Sequence, residues 1–141
     1  AFSERGDAQI CRMSNTYLIP VDSSIVHKDL KSLIRDVSYG VILQGTLGGA
    51  VSKDGMSSSI QIGYLIEHGK VTKTVNPANF SGKSKYVLRY VDGCAGELRI
   101  DDVGFCGKGG QHRPVGDGGP KWTRIETNEY VQLAVQGGSH V

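Results

Sequence analysis

At 141 residues, 38% of them hydrophobic, the chain is long enough for one domain with a core of its own and too short for a multidomain enzyme. Lys and Arg total 16 against 14 Asp and Glu, a net charge of +2, so the excess positive field of a non-specific nucleic-acid binder is missing and direct DNA contact is disfavoured. No apolar run approaches bilayer-spanning length and the first residues form neither a signal nor a transit pattern, so the expectation is a cytoplasmic protein with no membrane association.

The first persuasive element is a helix near residues 26–38. Leu30, Leu33, Ile34 and Val37 fall at i, i+3, i+4 and i+7, with Lys28, Asp29, Lys31 and Arg35 outward. Ser23 or Ser24 caps it and Gly40 follows its end. Val41, Ile42 and Leu43, bracketed by Gly40 and Gly45, read as a short buried strand. Ile60, Ile62, Tyr64 and Ile66 then alternate with Gln61, Gly63 and Leu65. A turn at Glu67 to Lys70 follows, and Val71, Lys73 and Val75 alternate beyond it. This is a β-hairpin whose turn takes its positive φ from Gly69. Tyr86 to Val91, Leu98 with Ile100, and Val131 with Leu133 and Val135 predict further strands. Glycine is spread from Gly6 to Gly138 and dense only from Gly104 to Gly119, the distribution of a turn-rich β protein rather than of a flexible linker. The expected fold is therefore mainly β, an α+β arrangement of antiparallel sheets packed as a sandwich or barrel with one amphipathic helix, in a single domain spanning 1–141.

Chemistry has few places to reside. Cys11, Cys94 and Cys106 are odd in number and widely spaced, so they are reduced thiols rather than a disulfide framework. Cys106 lies between Phe105 and Gly107 in a glycine-rich loop with Lys108 close behind, a setting that favours thiolate. A small residue filling a tight turn fits the same pattern. Cys106 and His112 are the only cysteine and histidine within ten residues of each other, and two ligands do not make a zinc site. His27, His68 and His140 read as solvated. No Gly-Lys-Ser/Thr phosphate loop is present, Pro114 and Pro120 remove backbone donors, and no serine sits in a nucleophile elbow. Tyr86, Tyr90 and Trp122 read as core rather than as a base-stacking platform.

Four segments in order carry a resemblance: Arg12-Met13-Ser14-Asn15-Thr16-Tyr17-Leu18; the helix that ends before Tyr39-Gly40; Gly63 through Val71; and Cys106-Gly107-Lys108-Gly109-Gly110-Gln111 with Pro114-Val115-Gly116 and Gly119-Pro120. From about Arg12 onward the chain resembles the C-terminal domain of the TldD/PmbA family, often labelled modulators of DNA gyrase and regarded as zinc metallopeptidases. The Cys-Gly-Lys-x-Gly-Gln segment matches the TldD type better than the PmbA or TldE type.

The resemblance implies a C-terminal domain of a longer zinc-dependent peptidase that degrades or matures peptides. Cys106 would then be a zinc ligand, and Gly107, Lys108, Gly110 and Gln111 would form the loop around the metal. Arg12, Asn15 and Thr16 would border the peptide channel, where an exposed strand edge pairs with an unfolded or precursor peptide. Two further zinc ligands and the catalytic glutamate would come from a His-Glu-x-x-x-His helix outside these 141 residues, so the fragment holds no catalytic residue and is inactive alone. The absence of an initial methionine fits a piece of a longer protein or a processed chain. The resemblance also implies a homodimer or a heterodimer with a TldE/PmbA-type paralogue. The competing reading is a non-catalytic, TldE-like scaffold acting through protein contacts. The polar stretch Ala50 to Ser59 and Trp122 depart from the family pattern.

Overall fold

The computed structural model describes residues 10–11, 13–76, 78–135 and 139–140. In chain order the strands are β1 (Thr16–Tyr17), β2 (Val26–His27), β3 (Tyr39–Val51), β4 (Met56–Glu67), β5 (Lys70–Val75), β6 (Ala78–Gly82), β7 (Val91–Lys108), β8 (Gln111–Ile125), β9 (Val131–Val135) and β10 (Ser139–His140). Helix α1 (Leu30–Ile34) precedes β3 and helix α2 (Ser84–Val87) precedes β7. One sheet has the order β1-β8-β7-β2; the other runs β10-β9-β6-β4-β3, with β5 also pairing β4. The mainly β expectation therefore holds. The sheets are antiparallel as expected, except that β1 on β8 and β2 on β7 are short parallel pairs.

The helix is shorter than its apolar spacing suggests, five residues in place of 26–38. Asp29, not Ser23 or Ser24, caps it: the Asp29 carboxylate accepts from Ser32 N at 2.8 Å while Ser32 Oγ accepts from Asp29 N at 3.1 Å, a reciprocal box that fixes the start at Leu30. Val26, freed from the helix, pairs with Cys94 as a strand. Leu33 and Ile34 are buried and Leu30 half-buried, so the three periodic residues of α1 itself were legible. Val41, Ile42 and Leu43 do form a strand, but only half-buried, because β3 lies at the edge of its sheet.

The hairpin of β4 and β5 is where alternation placed it. Its two-residue turn takes positive φ at both His68 (49°) and Gly69 (72°), the mirror-type turn that matches strand twist. His68 N and Gly69 N each donate at 2.8 Å to Ser38 O and Val37 O, clamping the turn onto the chain that leaves α1. A Cβ at Gly69 would stand 2.5 Å from Arg35 O, so close approach as well as φ demands glycine there.

Tyr86 to Val91 is not a strand. Residues Ser84–Val87 are helical, Leu88–Tyr90 form a 3-10 turn, and β7 starts only at Val91. Packing overrides β propensity here: Tyr86 stacks on Tyr130 with centroids 4.6 Å apart, Tyr90 lies 6.5 Å from the same ring, and Val87 is buried. The core gathers Ile60, Leu65, Ile66, Val131 and Leu133 of the larger sheet, with Leu33 and Ile34 of α1 and Cys94 and Ala95 of β7. Arg124 ties the helix to the smaller sheet. Its Nε donates to both Asp92 oxygens at 2.9 and 3.0 Å, and its Nη1 to Leu33 O and Asp36 Oδ1, each at 2.7 Å. The hydrogen bond from Arg124 holds the exposed Asp36 carboxyl below its ordinary pKa.

Candidate metal-ligand face

The glycine-rich segment around Cys106, expected as a loop, is almost wholly strand. The chain turns only at Gly109 (φ 56°) and Gly110 (φ 74°), the loop of a long hairpin. Cys106 is consequently a strand residue rather than a loop residue, half-buried and paired directly with Arg113. Gly107 faces His112, and Lys108 faces Gln111 across the turn.

Side chains alternate across a ribbon and cross-strand partners share a face, so this register sorts the hairpin into two sides. Arg99, Asp101, Cys106 and Lys108 of β7 share one face with Gln111, Arg113, Asp117 and Lys121 of β8. Leu98, Ile100 and Phe105 share the other with His112, Pro114 and Pro120. Two irregularities, between Ala95 and Leu98 and between Asp101 and Gly104, each shift β7 by one residue and keep its polar positions on one side. His112 thus lies on the face opposite Cys106, and the two cannot hold one ion. Among the described residues no group of three His, Cys, Asp or Glu converges, so these residues fit a metal only as the source of a single thiolate.

Arg12 lies outside the described residues. Asn15 and Thr16 are held against β8: Asn15 Oδ1 accepts from Gly116 N at 3.0 Å, Thr16 pairs with Asp117, and Leu18 N donates to Gly118 O at 2.8 Å. Asn15 therefore serves main chain on the apolar side, whereas Thr16 takes the register of Asp117 on the face that carries Cys106. Lys108 Nζ reaches Cys11 O at 3.2 Å, which fastens the segment before β1 to the hairpin tip. The opposite edge is more open: β2 pairs with β7 only at Cys94 and Ala95, and among the described residues no strand continues that edge toward Cys106. Sequence spacing missed this edge because it depends on which strand is outermost.

Toward its base the polar face borders a cleft of about 970 Å³ between the two sheets, with Leu33, Ile66, Phe80 and Trp122 among its apolar walls and Arg99 and Lys121 among its charged ones. Trp122 is half-buried there under the Lys121 ammonium, 5.6 Å from the ring centroid. Cys94, on the same side of the ribbon as Cys106, is 2% exposed, and burial pushes its thiol pKa up.

The domain is mainly β and presents one cysteine on a polar ribbon face, with too few candidate ligands among its described residues for a metal site of its own. Residues 2–128 match the PmbA/TldA metallopeptidase C-terminal domain, and the chain belongs to that family. It is 41% identical over 122 residues to a metalloprotease of Methanothermobacter thermautotrophicus, an alignment covering 85% of this chain and 26% of that protein. It is 35% identical over 112 residues to the metalloprotease TldD homolog of Haemophilus influenzae, covering 77% and 22%. To the zinc metalloprotease TldD homolog of Saccharolobus solfataricus it is 30% identical over 125 residues, covering 86% and 27%. The chain thus spans about a quarter of the length of the curated relatives it matches. Among the described residues no helix is long and apolar enough to cross a membrane.

Proposed function

We propose that this domain supplies one zinc ligand, Cys106, and one wall of the peptide channel to a metallopeptidase that degrades or matures peptides, and that it is inactive alone. The observation that carries this reading is the placement of Cys106: far along the β7–β8 ribbon from the core, on its polar face, with His112 turned away. The family match and the names of the relatives support the peptidase class, and the Saccharolobus name supports zinc.

Bound by Cys106 and by ligands from the rest of the protein, zinc would lower the pKa of a bound water and polarise a carbonyl. The domain's own residues have simpler tasks. The extended backbone of β7 carries the thiol, with Gly104 leaving the neighbouring position on the same face without a side chain. The edge of β7 offers main-chain groups to an extended peptide next to the thiol, and Arg113 places a guanidinium directly across from it. The working assembly is a dimer, of two copies or with a paralogue.

The test is hydrolysis of unstructured peptides by the full-length protein before and after chelation. Activity lost to the chelator and restored by zinc is expected. Activity indifferent to metal would contradict the reading, and absence of activity in every metal state would leave the scaffold alternative. The 141-residue chain titrated with zinc should bind it weakly; tight tetrahedral binding would show a complete site within it.

A further inference from the structure

The two faces of the β7–β8 ribbon differ in kind. Arg99, Asp101, Lys108, Arg113, Asp117 and Lys121 charge one face. The other carries Leu98, Ile100, Phe105, Pro114 and Pro120, with His112 near the tip, joined by Tyr17, whose ring lies 3.0 Å from where a Cβ at Gly118 would stand. A predominantly polar face backed by a predominantly apolar one, with His112 and Val115 the exceptions, marks a sheet with one side in water and the other against a core. Here the core side is bare: Leu98 is 54% exposed, Ile100 62% and Phe105 73%.

Since the chain spans only about a quarter of its relatives' length, most of such a polypeptide lies elsewhere, tethered at high effective concentration.

We infer that the apolar face built from Tyr17, Leu98, Ile100, Phe105, Pro114 and Pro120 is covered, in the full-length protein, by an apolar surface from the rest of the same polypeptide. Covering it leaves the charged face and Cys106 turned toward the water-filled side. The inference is independent of any metal, because it rests on exposure, on alternation and on the length of the relatives.

The test uses full-length protein carrying Ile100→Cys, with maleimide labelling at position 100 read by peptide mass. Leu98→Cys serves as a second probe of the same face, and each variant's melting curve is compared with that of the parent. Labelling at least 30-fold slower than in urea-unfolded protein, and unchanged on dilution to the monomer, is the expected result. Faster labelling in the folded protein would show an open face and overturn the inference. Protection that vanishes as the protein dissociates into monomers would assign the cover to a second copy and overturn it equally.

Discussion

Cys94 and Cys106 lie on the same strand and the same side of one ribbon, roughly 30 Å apart along β8, yet their surroundings make them different reagents. Cys94 sits opposite Thr123 near the foot of the ribbon, where β2 closes the edge of β7 and α1 packs nearby. It is almost fully buried, with a thiol held protonated by desolvation. Cys106 sits near the tip, half-buried, opposite a guanidinium and close to an edge that no described strand covers. The strand supplies the direction of both side chains; what packs on each end decides whether a thiol is part of the core or stands half-buried on the polar face.

The sharpest way to break this comparison is to exchange the roles. Cys106→Ser in the full-length protein should abolish zinc retention and peptide hydrolysis while leaving the melting temperature within a degree or two. Cys94→Ser should keep metal and activity but cost about 1 to 2 kcal/mol, visible in a denaturant melt, because a hydroxyl replaces a packed thiol.

Changes at the foot of the ribbon should be felt in stability and not in metal content. Leu33→Ala removes a buried side chain that packs at Gly93, where a Cβ would meet Leu33 Cδ1 at 2.6 Å, and should cost about 3 kcal/mol. Gly69→Val forces a β-branched residue to positive φ and against Arg35 O, with an expected loss of about 2 to 3 kcal/mol. An unchanged melting temperature would contradict the clamp between the β4–β5 turn and α1. Arg124→Met deprives Asp92, Asp36 and Leu33 O of their shared donor and should cost about 2 kcal/mol.

The smallest effect concerns acid. Asp36 and Asp29 have pKa values lowered in the folded state, the first by Arg124 and the second by Ser32 N. Their stabilisation is therefore complete above the unfolded carboxyl value near 4 and is lost as pH falls below it through the lowered values. Denaturant midpoints should decline below about pH 4, and Asp36→Asn should flatten part of that decline. A decline unaltered by Asp36→Asn would mean other carboxylates dominate.

Much of this architecture could be read from residue order, for reasons that differ along the chain. The hairpin of Ile60 to Val75 has apolar alternation and a His-Gly turn that agree, with the register slipping only between Leu65 and Ile66, both buried. Leu30, Leu33 and Ile34 gave the helix, but its length was set by an Asp29–Ser32 box that is only four residues long and easily overlooked among flanking polar residues. Tyr86 to Val91 misled because tyrosine and valine favour strands on average, whereas here a ring on Tyr130, some forty residues away, selects the helical turn. Cys106 was singled out by its glycine neighbours, but its partner across the ribbon, its face and its separation from His112 depend on register and on two bulges. None of those leaves a local signature. The same holds for Asn15, whose bond to Gly116 joins residues a hundred positions apart.

The most direct measurement is zinc stoichiometry in purified full-length protein, with Cys106→Ser and Cys94→Ser prepared in parallel and both shown to be folded. The account predicts about one zinc per chain in the parent and in Cys94→Ser and next to none in Cys106→Ser, whereas full zinc in Cys106→Ser would contradict it.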